Sequence, residues 1–225
     1  MNSLKNTYDI IIIGAGSIGT PTAFYLSREG FNVLVLDMNS SVGQGSNKTA
    51  IGGIRATHSE PAKISLCKRS IEIFSSWEEK YGEDIEWRKG GYVFVAYRSH
   101  ERSALKNLII EQQKLGLHID WLNRDELLKV IPGINPKKLL GGTYAPDDGH
   151  ASPLLANQAF YRHACQNGAI FHFNEKVTKI LHKNNVIKGV TTNKNTYYAP
   201  IVINAAGAWA ANVGKLADII IPVRS

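Results

Sequence analysis

The chain is short of cysteine, with two in 225 residues. Cys67 and Cys165 lie far apart, with no CxxC spacing and no neighbouring histidine cluster. That excludes a disulfide framework and a zinc site, and it points to a reducing, cytoplasmic setting. Long apolar runs are also missing. Ile10 to Ile13 is too short for a signal-peptide core and meets glycine at once, and no stretch reaches membrane-spanning length. Charge is not concentrated. The formal net charge of +7 is spread along the chain in pairs such as Lys68-Arg69 and Lys137-Lys138. Scattered cations describe solvated faces, or partners no larger than an anionic cofactor or substrate, and not a nucleic-acid surface. No internal repeat or low-complexity tract is visible, and no catalytic carboxylate pair or Ser-His-Asp arrangement stands out.

What is present is an ordinary globular composition, 44% hydrophobic, with an ordered beginning. Tyr8–Ile13 reads as a parallel strand buried on both faces. A helix is expected over residues 18–29, with Pro21 tolerated in its first turn and Gly30 ending it. Val33–Leu36 forms a second strand closed by Asp37. Residues 39–58 are rich in Gly, Ser and Asn and lack periodicity, and a loop this long in a compact domain is usually functional. Ser59-Glu60-Pro61 starts a helix reaching about Lys80, with a cap candidate before the proline and Ile64, Ile71, Phe74 and Trp77 on its buried face. Strands at 91–97, 117–122 and 142–145 and helices at 100–115, 124–130 and 153–166 follow. Three strand candidates at 170–182, 186–192 and 195–199 would form a small antiparallel meander. Ile201–Asn204 returns to a buried strand.

Between the first strand and helix stands Gly14-x-Gly16-x-x-Gly19. Gly14 permits the tight turn, Gly16 allows close approach of a pyrophosphate, and Gly19 lets helix and strand pack. The helix N-terminus, with Ser17 and Ile18, offers free amides and a positive dipole end to phosphates. Asp37 ends the next strand, where a carboxylate accepts ribose hydroxyls, and Met38 adjoins it. Both NAD and FAD use this unit, and an acid at 37 disfavours NADP. A simple NAD domain would continue with βα repeats. The long polar loop and the meander suit a flavoprotein.

Four stretches, DIIIIGAGSIGTPTAFYLSREG with VLVLD, GQGSNKTAIGGIRATHSEP, GTYAPDDGHASP and VINAAGAWA, resemble the D-amino-acid oxidase-like family of FAD-dependent oxidoreductases. Within it the chain is similar to the sarcosine oxidase beta subunit, glycine oxidase and dye-linked L-proline dehydrogenase branch. The resemblance implies an α/β fold: a Rossmann-like FAD-binding domain of glutathione reductase type, with a parallel sheet and small meander, plus part of an α+β substrate domain. Expected boundaries are 1–80 with 145–220 for the discontinuous FAD domain and 81–144 for the partial substrate domain.

By the same resemblance Ser46, Asn47, Gly52, Gly53 and Ile54 are FAD contacts. Val177 meets adenine with its backbone, against a plain reading as a core valine. Ala205, Ala206, Gly207 and Trp209 pass back under the cofactor, although Trp209 fits core packing equally well. Ser152-Pro153 stands where relatives place a linking histidine, and His150 is out of register, so non-covalent FAD is expected. Arg55 either holds a substrate carboxylate or makes a structural ion pair. His58 either lines the same site or is structural. No residue is singled out for the catalytic step, and no metal is expected.

The activity implied is oxidation of the C–N bond of a small secondary amine or amino acid, of sarcosine, proline or glycine type, by hydride transfer to flavin N5. Family members continue past a segment like Pro222-Val223-Arg224 with the rest of the substrate domain, so the C-terminal remainder is expected to lie beyond Ser225. A truncated gene, a split protein completed by a second polypeptide or hetero-oligomer, and a degenerate fragment would each explain this. The second class of function is therefore an FAD-binding or assembly fragment without turnover.

Overall fold

The computed structural model describes residues 6–223; Met1–Lys5 lie outside the described residues, as do Arg224, which closes the PVR segment, and Ser225. Along the chain come β1 (Ile10–Ile13), α1 (Gly19–Arg28), β2 (Val33–Leu36), β3 (Gly53–Ile54), α2 (Pro61–Ser75), α3 (Trp77–Tyr81) and β4 (Tyr92–Ala96). Then follow α4 (Ser99–Lys114), β5 (Asp120–Leu122), α5 (Arg124–Val130), β6 (Gly141–Ala145), β7 (Gly149–His150) and α6 (Pro153–Gln166). The order closes with β8 (Ile170–His172), β9 (Val177–Lys183), β10 (Val186–Thr192), β11 (Thr196–Tyr198), β12 (Ile201–Asn204) and α7 (Ala210–Lys215).

These elements form two compact units, one of residues up to 51 together with 153 onward, the other Gly52–Ser152. The first is built on a parallel sheet of order β12-β1-β2-β8. All four residues of β1 and of β2 are buried, as a parallel strand covered on both faces requires. Their side chains alternate in direction. Ile11, Ile13, Leu34 and Leu36 join Val177, Ile180, Val190 and Tyr197 of the antiparallel meander in one core. Helices α1 and α6 pack on each other, with the Phe24 and Phe160 rings edge to face at 5.5 Å. Each fully buried aliphatic side chain here stabilises by about 1.5–3 kcal/mol. Gly30, at φ +88°, lets the chain leave α1 and turn into β2.

The second unit has an antiparallel sheet of order β4-β6-β5 and a short β3–β7 ladder. Its core joins Ala56, Ile64, Ile109, Leu117, Ile119 and Ala145. At the start of α5 the Asn123 side chain accepts from the amides of Asp125 and Glu126, and Glu126 accepts from the Asn123 amide. This reciprocal cap fixes where the helix starts, and the fully buried Leu127 packs it onto the sheet.

Several expectations from sequence need correction. The segment expected as one strand from 170 divides. Residues 170–172 form β8 and extend the parallel sheet beside β2, and only β9 belongs to the meander. Asn174, at φ +53°, turns the chain between them. The long helix from Pro61 breaks at Ser76, whose hydroxyl donates to the Glu72 carbonyl at 2.7 Å and competes with the helix ladder. Its N-terminus has no side-chain cap. The strand expected over 117–122 is confined to Asp120–Leu122, and the loop 39–58 carries a 3-10 turn, Ser46–Thr49, as well as β3. The units divide after 51 and 152, whereas boundaries near 80 and 145 were expected. The reason is α2, whose Ile64 is buried among Ile109, Ile119 and Ala145 of the second unit.

Candidate functional site

A groove of about 760 Å³ opens in the first unit where β1, β2 and β12 end. The three glycines of the first turn contribute in different ways. Gly14 has φ +108°, and a Cβ there would stand 2.5 Å from the Ala205 carbonyl oxygen. A Cβ on Gly19 would fall 1.8 Å from the Gly14 carbonyl oxygen, so this residue packs behind the groove and does not line it. Around Gly16 there is open space; it lines the groove, and a side chain would project into the volume a ligand needs. No side chain caps α1, so the amides at its N-terminus remain available to an anion.

Asp37 lines the groove at the end of β2. Its Oδ2 accepts from the Ala15 amide at 2.7 Å, and its Oδ1 from the amide and side chain of Asn39 at 2.8 and 3.1 Å. A carboxylate has about four lone-pair sites, so Oδ2 keeps capacity for a hydroxyl. Ser17, Ile18, Met38, Ser46, Asn47, Val177, Ala205, Ala206, Gly207 and Trp209 line the same groove. Gly52, Gly53 and Ile54 do not. They belong to the second unit, where Gly53 and Ile54 form β3 and a Cβ on Gly53 would stand 3.1 Å from the Tyr92 hydroxyl.

Sequence reasoning missed Glu175. This buried carboxylate lines the groove beside Val177 and accepts from the hydroxyls of Thr192 at 2.7 Å and Tyr197 at 2.9 Å. Tyr197 also meets His172 Nδ1 at 2.9 Å. Burial and the adjacent carboxylate push the Tyr197 phenol up to about 12. The cluster ties the turn before β9 to the meander, and the Glu175 amide donates to the Asp37 carbonyl at 2.9 Å. Nothing in NEKVT marks that residue, because its partners lie in later strands. The groove's shape, its uncapped helix start, its open Gly16 and its carboxylate suit an adenine dinucleotide with a pyrophosphate at the glycine turn and a ribose at Asp37.

In the second unit a separate cavity of about 300 Å³ brings Arg55 and His58 together, with Phe94, Leu105, Leu108 and Ile119 among its walls. The Arg55 guanidinium lies 5.6 Å from the Tyr92 ring centroid and 5.1 Å from that of Phe94, and its Nη1 donates to the Thr57 carbonyl. Burial, then the Arg55 and Lys63 charges, lowers the His58 pKa from its ordinary value. Asp148, buried and raised mainly by that burial, accepts from the Ala56 amide at 2.9 Å and the Thr57 hydroxyl at 3.2 Å. It thus holds the two residues that follow Arg55. In sequence Asp148 reads only as a turn residue. Among the described residues no cluster of His, Cys, Asp or Glu could hold a metal ion, and no helix is long and apolar enough to cross a membrane.

Comparison with known proteins gives the family and the fold. The chain is 25% identical to 4-methylaminobutanoate oxidase (formaldehyde-forming) of Paenarthrobacter nicotinovorans, over 95% of this chain and 26% of that protein. It is 28% identical to human mitochondrial dimethylglycine dehydrogenase, over 98% of this chain and 26% of the relative. The L-proline dehydrogenase structure from P. horikoshii superposes with a TM-score of 0.91 at 31% identity, covering 95% of this chain and 56% of that one. The chain therefore spans about a quarter of the length of these curated relatives. Such neighbours carry a Rossmann-like FAD-binding fold, and the parallel sheet with its meander matches it. With the model for FAD-dependent oxidoreductases (DAO) matching residues 9–225, the chain belongs to that family.

Proposed function

We propose that the first unit holds FAD without a covalent link and that the second contributes to binding a small amine that carries a carboxylate. The protein of which this chain forms all or part oxidises the C–N bond of that substrate. The observation that carries the reading is the single groove into which Gly16, Asp37, Asn47, Val177 and Ala205–Trp209 converge. FAD held there would supply a two-electron acceptor for the substrate hydride. The chain's own residues bind and orient. The α1 amides and Gly16 receive the pyrophosphate, Asp37 accepts ribose hydroxyls, and Val177 borders the adenine.

Arg55 supplies the cation for the substrate carboxylate. The Tyr92 and Phe94 rings flank the guanidinium and the Thr57 carbonyl accepts from it, and a guanidinium fork suits bidentate recognition of a carboxylate. The three relatives above are named for 4-methylaminobutanoate, dimethylglycine and proline, each an amine with a carboxylate. Sarcosine, proline and glycine are accordingly the first substrates to test, in a cytoplasmic setting. We assign the first unit as the FAD-binding domain and the second as part of the substrate domain.

The test is an absorbance spectrum of the purified chain, followed by anaerobic titration with sarcosine, L-proline and glycine. Flavin absorbance released on denaturation, with bleaching by one of the three, is expected. A colourless chain that gains no flavin on incubation with FAD overturns the reading. Bound FAD that none of the three bleaches favours a second reading, an FAD-holding fragment without turnover. Asp37→Ala should weaken FAD binding roughly ten- to hundredfold, the worth of hydrogen bonds to a charged group, read by equilibrium titration.

A further inference from the structure

One buried polar side chain next to the glycine turn is unaccounted for by the readings above. Asn157, in α6, is 3% exposed. Its Nδ2 donates to the Ala15 carbonyl at 3.2 Å, and the same carbonyl accepts the Gly43 amide at 2.9 Å. The Ala15 amide is itself held by Asp37 Oδ2 at 2.7 Å. Ala15 is fully buried between Gly14 and Gly16, both of which line the groove. Its peptide groups are therefore fixed on both sides, one by Asp37 and the other by Asn157 with Gly43.

Gly43 brings a second loop into this arrangement. It has φ +74°, and a Cβ there would stand 3.0 Å from Asn47 Nδ2 and 3.2 Å from Asn157 Nδ2. Asn47 lines the groove, and its own Nδ2 donates to the Pro153 carbonyl at 3.0 Å. Two carboxamides thus flank one glycine and join the 14–19 turn, the 43–47 loop and the start of α6.

The orientation of the Asn157 amide follows from its partner. A carbonyl acceptor requires the nitrogen, and a flipped amide would set two oxygens against each other. The Oδ1 atom is then buried with no protein donor among the described residues. Leucine has a similar size and would leave no polar atom behind, so fold stability alone does not account for asparagine here. Orientation of the turn does.

We propose that Asn157 is a positioning residue for the dinucleotide: by holding the Ala15 carbonyl it sets the Gly16 and Ser17 amides toward the groove and fastens the 43–47 loop beside them. This rests on the assignment of the groove to FAD. Removing the donor should loosen the cofactor and leave the apoprotein fold intact.

The test compares the full chain with Asn157→Leu and Asn157→Asp. FAD affinity is measured by quenching of flavin fluorescence, and apoprotein melting by far-ultraviolet circular dichroism. Both variants should bind FAD about tenfold or more weakly, the loss expected for one hydrogen bond that orients several others. The Leu apoprotein should melt at or above the wild-type temperature. Three results overturn the proposal: a Leu variant that binds FAD like wild type, a Leu apoprotein that melts lower in step with its weaker binding, or a Leu variant that does not fold. If the wild-type chain binds no FAD, the site assignment fails and this inference falls with it. If wild type binds and both variants bind equally well, the inference fails alone.

Discussion

Replacing Gly16 and replacing Gly14 should produce opposite kinds of damage. At Gly16 the backbone is ordinary and a side chain meets open groove, so Gly16→Val should fold normally and lose FAD. At Gly14 even a methyl group meets the Ala205 carbonyl in a left-handed backbone, so Gly14→Ala should lower stability by about 1–3 kcal/mol, in the range of overpacking and backbone strain. Thermal melting of the apoprotein beside FAD titration separates the two. For Arg55→Ala the expected outcome is a KM for carboxylate substrates raised about tenfold or more, with a smaller change for uncharged amines, as for loss of one charge-assisted contact. Equal losses for both classes in steady-state kinetics would make Arg55 a packing residue, held by Tyr92, Phe94 and the Thr57 carbonyl. Residues that belong to a recognisable motif were legible in the sequence: Gly14, Gly16, Gly19 and Asp37 stand at fixed spacing in one strand-turn-helix-strand unit, and the small residues 205–207 act through their own backbone, whereas Gly52 and Gly53 lie outside the groove. Glu175, Asp148 and Asn157 were not legible. Each is defined by a partner many positions away, Tyr197, Ala56 and Ala15 respectively, and no spacing rule announces such pairs.

At the scale of elements, β1, α1 and β2 followed from apolar runs and punctuation, because those strands are short and buried on both faces. β12 lies where its apolar run placed it, but it is only partly buried, with Ile201 half exposed, so the expectation of a buried strand there is corrected. The division of β8 from β9 did not, since both stretches are apolar enough for a strand and only the turn at Asn174 separates them. The α2–α3 break was hidden for a similar reason. Serine is tolerated inside helices, and its bond to the Glu72 carbonyl depends on a rotamer. Elements also carry a pH signature. Asp148, between β6 and β7, has its pKa raised above the ordinary carboxyl value, mainly by burial. A raised folded pKa means that the native state holds the proton more tightly than the unfolded chain. The stability it contributes is therefore complete below the unfolded pKa and is lost as pH rises through the folded one. Asp148→Asn removes this dependence. The melting temperature of the variant relative to wild type should rise as pH passes from the acidic end of the carboxylate range to neutrality, in a pH series of thermal melts. A difference that stays flat with pH would show that Asp148 ionises without effect on the fold.

For the whole molecule, the two units differ in how the chain builds them. Gly52–Ser152 is one continuous segment with its own sheet, helices and core. Expressed alone it should fold and unfold cooperatively in urea, with dispersed amide resonances; a molten, dye-binding product would show that its core is insufficient. The first unit has no such continuous counterpart. Residues 13–47 form one wall of its groove and residues 175–216 the other, with the entire second unit translated between them. On a ribosome, then, the two halves of the nucleotide cleft emerge far apart in time. The intervening segment can collapse while the first β-α-β piece still waits for its later neighbours. Flavin capture is then a late event in the life of the nascent polypeptide, and until it the isoleucine- and leucine-rich strands of that early piece lack the neighbours that bury them.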